Sequence, residues 1–195
     1  MKEQINIFFT AVMFYTRIPC PKHIDHDPEY LNKATRFFPL IGWLVGGISY
    51  LLFLGAAYIF SLSIAVVISI IAGILTTGAF HEDGFADVCD GFGGGWTKEK
   101  ILKIMKDSAI GAYGAIGVVL LLVTKYLVLV EIMNKIPYPF VNKYFFIGLV
   151  FLVYHSMSRA NAISLSFTLS YVREDELSKS KPIAKAYSRV ELFGV

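Results

Sequence analysis

Residues 37–80 read FFPLIGWLVGGISYLLFLGAAYIFSLSIAVVISIIAGILTTGAF, and none of these 44 side chains is charged. At about 1.5 Å per residue they would make roughly 66 Å of helix, whereas the hydrocarbon core of a bilayer is about 30 Å thick. One span takes about 20 residues. The stretch therefore predicts two membrane-spanning helices joined by a tight turn near residues 60–63.

Three further apolar segments surround this pair. Residues 108–130 predict a third span, which Lys125 interrupts. Residues 144–172 hold one charge, Arg159, and are long for one span and short for two, which favours a tilted or broken helix. Residues 5–16 are too few to span and predict an interfacial or half-buried helix. The expected fold is all-α, a polytopic integral membrane protein with about four transmembrane helices plus cytoplasmic amphipathic helices.

Composition supports the membrane class. Of 195 residues, 55% are hydrophobic and 17% are charged, against about 25% charged in soluble domains. This hydrophobicity leads us to expect a lipid bilayer as partner. The net charge of +3 is too small for a solvated basic face, so we expect no nucleic acid as partner. Disorder and a disulfide-stapled secreted scaffold are also excluded.

Basic residues predict the orientation. Fourteen of the 18 lysines and arginines lie in the N-terminal part, in residues 81–107 and in the C-terminal tail, whereas the opposite loop holds Lys135 and Lys143. Cytoplasmic loops carry an excess of these residues, so both termini and residues 81–107 are expected in the cytoplasm.

Residues 81–95, which read HEDGFADVCDGFGGG, hold most of the ionisable groups that could do chemistry. On a helix, Asp83, Asp87 and Asp90 share one narrow stripe, opposite the apolar residues. Such carboxylates repel one another, and no lysine or arginine is interleaved. Oxygen ligands favour Mg²⁺ or Mn²⁺ over zinc, and carboxylate-bound Mg²⁺ usually also binds substrate phosphates. The alternative is an acidic face paired with basic residues of a neighbouring helix.

The glycines at 93–95 predict a helix break, which serves as a hinge or as a phosphate cradle. Thr97 is a candidate N-cap for a second amphipathic helix over residues 98–107. The polar side of that helix carries Lys100, Lys103 and Lys106, which could contact substrate phosphates or anionic lipid headgroups.

Two further charged residues allow more than one interpretation, and two sets of glycines predict helix packing. Asp107 could be a fourth metal ligand, a general base or an ordinary helix-flanking residue. Arg159 could contact a phosphate or a partner aspartate, or could mark a helix end at the interface. Glycines that recur at helical spacing predict close packing of helices, and these are Gly42, Gly46, Gly111, Gly114 and Gly117.

Two motifs resemble the cobalamin synthase family, the adenosylcobinamide-GDP ribazoletransferases. The first reads His81-x-Asp83-Gly84-x-Ala86-Asp87-x-x-Asp90-Gly91. The second reads Ile104-Met105-Lys106-Asp107-Ser108-x-x-Gly111-x-x-Gly114. Supporting stretches are Thr16-Arg17-Ile18-Pro19, Phe38-Pro39-Leu40-Ile41-Gly42, Ser158-Arg159 and Tyr171-x-Arg173. The resemblance implies an Mg²⁺-dependent enzyme of the bacterial inner membrane. Such an enzyme joins adenosylcobinamide-GDP to α-ribazole or its 5′-phosphate and releases GMP.

The resemblance also implies site residues. Asp83, Asp87 and Asp90 would be metal ligands, and Asp107 a ligand or the base. The substrate contacts would be Lys106, Arg159, Gly84, Gly91 and Gly94. Residues 1–195 would form one membrane-embedded catalytic domain, with residues 81–107 as its cytoplasmic active-site segment. The family usually continues through further apolar helices, and a homo-oligomer is compatible with the sequence.

Two other classes compete with this interpretation. A CDP-alcohol phosphatidyltransferase also displaces a nucleoside monophosphate, but its motif places arginine after the alanine, and here Asp87 follows Ala86. A divalent-cation transporter places carboxylates within the membrane between spans. The aspartates here lie just outside a predicted span, which favours surface chemistry on a soluble substrate.

Overall fold

The computed structural model describes residues 2–21, 28–136 and 140–169, and all regular structure among them is helical. A 3-10 turn, Thr35–Phe37, links the second and third α-helices. The α-helices are α1 (Lys2–Tyr15), α2 (Pro28–Ala34), α3 (Phe38–Ile59), α4 (Leu62–Thr77), α5 (Phe80–Gly94), α6 (Lys98–Ile104), α7 (Ala112–Lys135) and α8 (Phe140–Thr168). The all-α prediction is confirmed for these ranges.

Three helical segments are long and apolar enough to cross a membrane, namely Glu29–Ile59, Ala112–Lys135 and Lys143–Ser166. The number rises to four if α4 and α5, bent by 88° at a short break, count as one broken span. This agrees with the predicted number of about four. The predicted turn inside the uncharged stretch is also present, because α3 ends at Ile59 and Ser61 is the N-cap of α4.

Several helices differ from the predictions. The third span runs over Ala112–Lys135 instead of residues 108–130. α8 is one continuous helix of 29 residues, which excludes the broken alternative up to Thr168 and leaves the tilted one. The chain bends between α4 and α5 because Gly78 and Ala79 both adopt left-handed backbone conformations, with φ of 65° and 59°. The Ala79 N–H donates to Ile74 O at 2.9 Å, which is the hydrogen bond of a Schellman motif.

The chain divides into two compact units. One comprises residues 1–50 and 145–195, and the other comprises residues 51–144. A single catalytic domain over residues 1–195 stays a prediction.

Close helix packing in the first unit depends on two glycines of α3. A Cβ on Gly42 would lie 2.5 Å from the backbone oxygen of His155, and one on Gly46 would lie 2.8 Å from that of Phe151. The prediction that this glycine pair packs helices is confirmed. In the same unit, α1 buries Ile7 and other apolar residues in a cluster with the start of α3, so α1 is half-buried.

The second unit positions the aspartate motif. α5 packs against α4, α6 and α7, so its side chains are held by three neighbouring helices.

Candidate active site

α5 presents the three predicted ligands along one helix, as the sequence motif indicates. Asp83 is exposed, whereas Asp87 and Asp90 are half-buried. The side of α5 that carries Ala86 and Cys89 packs on α7. The side that carries Gly91 packs under α6 and the residue that follows it. The prediction of an amphipathic helix over this segment is confirmed.

Asp90 caps the amino terminus of α7 from another helix. The backbone N–H of Gly111 donates to Asp90 Oδ2 at 2.7 Å, and that of Gly114 donates to Oδ1 at 2.8 Å. Gly111 is the N-cap residue of α7 and has no side chain to perform this role. The first N–H groups of a helix lack partners within the helix and carry partial positive charge. The Asp90 carboxylate satisfies two of them and is stabilised in return.

The glycines of α7 give Asp90 and Cys89 the room to approach. A Cβ on Gly111 or Gly114 would collide with the Asp90 carboxylate, and one on Gly117 would lie 2.5 Å from Cys89 Sγ. The spacing of three residues thus places backbone, not side chains, beneath α5. The predicted packing role of these glycines is confirmed.

The glycines of α5 divide into packed and open ones. A Cβ on Gly91 would lie 2.7 Å from Met105 Cγ, and Gly91 is buried. The ring of Tyr113 covers Gly93. Gly84 is exposed, with nothing within 4 Å of a built Cβ, and Gly94 is exposed with Ile104 Cδ1 at 3.3 Å. Gly84 and Gly94 therefore leave backbone open to a ligand, whereas Gly91 has a packing role. Substrate binding by any of the three stays a prediction.

α5 ends at Gly94, and Gly95 is extended, so the predicted helix break is present. The Thr97 hydroxyl accepts from the Lys100 N–H at 3.3 Å, which confirms the predicted N-cap. Hydrogen bonds from its own backbone N–H and from Thr97 lower the pKa of the Glu99 carboxyl. α6 ends at Ile104 instead of residue 107.

Lys106 and Asp107 consequently lie in a turn between α6 and α7. Both side chains are exposed. Asp107 Oδ1 accepts a hydrogen bond from the Ala109 N–H at 3.1 Å, a turn stabilised by an aspartate side chain. The predicted helix over residues 98–107 is thus too long by three residues. The N–H groups of Lys106 and Asp107 donate to carbonyls three residues back, at 3.2 and 3.0 Å, in a tight turn that closes the helix.

Glu82 also belongs to this segment, although the sequence motif did not single it out. Its Oε2 atom is buried and has no hydrogen-bond partner among the described residues. A buried carboxylate oxygen without a hydrogen-bond partner is costly, and its chemistry suits a cation or a hydrogen-bond donor. Within residues 2–21, 28–136 and 140–169, no three histidine, cysteine, aspartate or glutamate side chains converge into a ready metal site.

Arg159 lies in the other unit, on α8. It is 4% exposed, and its guanidinium donates to the backbone oxygen of His155 at 2.9 Å. The guanidinium carbon also lies 5.6 Å from the ring centre of Phe38. This burial contradicts the alternative of an interfacial helix end. His155, itself buried, was missed by the sequence, although its spacing of four residues from Arg159 places both on one helix face.

The chain is similar to curated ribazoletransferases over almost its whole length. A sequence model of the family described as cobalamin-5-phosphate synthase matches residues 7–195. The adenosylcobinamide-GDP ribazoletransferases of Shewanella frigidimarina (strain NCIMB 400) and Shewanella oneidensis (strain MR-1) are 47% and 45% identical to it over 191 residues. These residues are 98% of this chain and 70% of each relative. The ribazoletransferase of Shewanella pealeana is 46% identical, over 98% of this chain and 71% of its own length. No solved structure is a significant match.

Proposed function

The chain belongs to the cobalamin-5-phosphate synthase family, and we infer that it performs the adenosylcobinamide-GDP ribazoletransferase reaction, the final nucleotide-loop assembly of vitamin B12. The observation that carries this inference is the match over residues 7–195, which includes both motifs. It removes the support for a phosphatidyltransferase or a cation transporter.

The bonds formed and broken in this reaction determine what the site must do. A ribose hydroxyl of α-ribazole, or of its 5′-phosphate, forms a bond to the phosphorus that carries cobinamide. The bond from that phosphorus to the bridging oxygen breaks, and GMP leaves with this oxygen. The proton of the hydroxyl needs an acceptor. The protein must therefore hold a diphosphate, orient a hydroxyl and accept a proton.

We propose that Asp83, Asp87 and Asp90 hold Mg²⁺ or Mn²⁺. The donor set fits a hard cation, since it consists of carboxylate oxygens, and the orphaned Oε2 of Glu82 lies on the same helix. When bound, the ion would neutralise charge on the diphosphate and on the leaving phosphate. Asp90 can ligate while it caps α7, because two carboxylate oxygens offer about four lone-pair positions and two amides occupy only two.

We assign proton acceptance to Asp107 and a phosphate contact to Lys106. Both are exposed in the turn that follows α6, and the same chain segment leads directly to the helix that Asp90 caps. A carboxylate that is not saturated by metal can take the hydroxyl proton. A lysine beside it attracts a phosphate as a point charge. The exposed backbone at Gly84 and Gly94 allows a substrate to approach α5 closely.

Arg159, in the first unit, is proposed as a phosphate contact in its own right. Its guanidinium is held by the His155 carbonyl, so its donors are already oriented. A guanidinium binds phosphate in a bidentate manner, which a lysine does not reproduce.

The membrane placement follows from the charges. We propose a multi-pass protein of the bacterial inner membrane, with residues 81–107 on the cytoplasmic side. Nucleotide substrates and Mg²⁺ are available there.

The test uses the 195-residue chain in liposomes, with adenosylcobinamide-GDP, α-ribazole and Mg²⁺. Chromatography follows GMP and the cobalamin product. We expect equimolar products, lost in Asp87→Asn and with a chelator but retained in Glu131→Gln, which removes an exposed carboxylate paired with Lys135 at 2.9 Å. Absence of turnover both in the folded wild-type chain and in a version extended to the length of its relatives would contradict the inferred reaction. Equal turnover with and without a chelator would contradict the metal proposal alone.

A further inference from the structure

The apolar side of α5 is exposed along its whole length. Phe85 is 37% exposed, Val88 40% and Phe92 69%, and Trp96, two residues beyond the helix, is 96% exposed. On a helical wheel the first three lie within about 60° of one another. Single exposed apolar residues are ordinary, but a continuous stripe with two large aromatic rings indicates a binding surface. We call these four residues the apolar stripe.

Two other sides of α5 are occupied, whereas the side that carries Asp83 and Gly84 is exposed. Cys89 and Asp90 pack on α7, and Gly91 packs beneath Met105. Asp83 lies on the side of the helix opposite Phe85 and Phe92. Val88 and Phe92 therefore lie on a side of α5 that no described helix of the second unit covers, and Phe85 at the edge of this side borders Gly117 of α7. This side faces away from Asp83.

Contacts with α7 place α5 at the depth of one end of a candidate membrane span. Gly93 lies against Tyr113, and Cys89 lies at Gly117, so α5 follows the first two turns of the apolar segment Ala112–Lys135. The carboxyl end of α5 is nearest the start of α7, and the polar residues Lys106, Asp107 and Ser108 precede α7 by four to six positions. Phe92 and Trp96 thus lie at the level where a span meets water.

The residues that follow the carboxyl end of α5 are of the types that suit a bilayer interface. Tryptophan is enriched at the headgroup level, where an apolar ring and a polar N–H can both be satisfied. Lys98, Lys100 and Lys103 follow Trp96 in the chain and are exposed, and lysines near an anionic surface are attracted to it. Acidic headgroups therefore complement this end of the molecule, while the aspartates point elsewhere.

We propose that the apolar stripe inserts into the lipid interface and anchors the aspartate-bearing helix to the membrane, with Trp96 at headgroup depth. The partner is a bilayer that contains anionic lipid. This inference does not depend on the transferase reaction. Under this proposal one side of α5 contacts lipid, and the opposite side carries the aspartates.

The experiment uses the two tryptophans of the chain separately. Trp43→Phe leaves Trp96 as the only indole, and the matched variant Trp96→Phe leaves Trp43, which is exposed on α3 within a candidate span. Each folded protein is reconstituted in vesicles of phosphatidylcholine and phosphatidylglycerol. Emission is quenched by lipids brominated near the headgroup, by lipids brominated deep in the chains, and by aqueous iodide.

We expect headgroup-proximal bromines to remove at least half of the Trp96 emission, with much weaker quenching by iodide. Trp43 should respond more to the deep bromines, which shows that the depth scale works. Strong iodide quenching of Trp96 would place the stripe in water and overturn the proposal. Protection of Trp96 from lipid and iodide alike would mean that protein covers the stripe, which would also overturn it.

Discussion

Asp90 and Gly114 are 24 residues apart in the chain, yet the Gly114 N–H donates to Asp90 Oδ1 at 2.8 Å. With the second bond from Gly111, this contact joins the predicted metal-binding helix to the first turn of α7. The same carboxylate is thus a helix cap and a proposed ligand. Its two roles can be separated by experiment.

Loss of the cap should loosen the start of α7. Asp90→Ala removes both acceptors, and we expect a loss of about 1–3 kcal/mol of stability, because two helix N–H groups lose their partner. Hydrogen exchange in detergent, without metal, should show faster exchange at Gly111 and Gly114. Asp83→Ala is the matched control and should leave this exchange unchanged. Unaltered protection in Asp90→Ala would show that the cap does not hold α7.

Gly114, which donates to the Asp90 carboxylate, should not tolerate a methyl group. In Gly114→Ala the new Cβ would meet the Asp90 carboxylate and would lie 3.0 Å from Ala86 O, so we expect a destabilisation of about 1–3 kcal/mol. Gly84→Ala is the matched change on α5, where a Cβ meets nothing within 4 Å, and should be neutral or stabilising by up to about 1 kcal/mol. Thermal midpoints in detergent decide between these outcomes. A Gly84→Ala protein that is stable but has a raised substrate KM would support the predicted contact of Gly84 with substrate.

Neutralising a proposed ligand should change the response to metal. For Asp83→Asn we expect turnover to fall about 10²–10³-fold and the Mg²⁺ concentration for half-maximal activity to rise about tenfold or more. Initial rates over a Mg²⁺ series, repeated with Mn²⁺, measure both quantities. A variant with reduced turnover but unchanged half-saturation would remove Asp83 from the ligand set.

Loss of the proposed phosphate contact of Arg159 should raise the KM for one substrate and leave the KM for the other unchanged. Arg159→Lys keeps the charge but loses the planar guanidinium, so we expect KM for adenosylcobinamide-GDP to rise about tenfold. The KM for α-ribazole, which lacks a phosphate, should stay unchanged. A variant with a lowered thermal midpoint and both KM values intact would show that the bond to His155 is only structural.

Local patterns in the sequence predicted much of the fold. The break in the uncharged stretch falls at Ser61, Thr97 caps α6, and the aspartates occupy one helix. These features depend on residues a few positions apart, where periodicity and capping rules apply directly.

Contacts between distant segments were not predictable in the same way. Nothing in the spacing of Asp90 indicates that its oxygens bind amides more than twenty residues later. The burial of Glu82 Oε2 depends on packing between helices, which no single-helix pattern contains. Gly78 is the residue type that commonly follows a helix end, but residues 37–80 contain no charged side chain, so the pattern did not indicate a boundary there.

The short turn at Gly78 and Ala79 also limits how the gene can change. The left-handed conformations of Gly78 and Ala79 accompany the 88° bend between α4 and α5, so an inserted or deleted residue in this turn would change the direction of α5, and of every aspartate it carries, relative to α4. Asp90 would then face away from Gly111 and Gly114 unless the whole second unit repacked. A substitution at Ala79 alters only local strain, whereas a change of length there alters the direction of the entire site. We therefore regard the length of this turn as less free to vary than its composition.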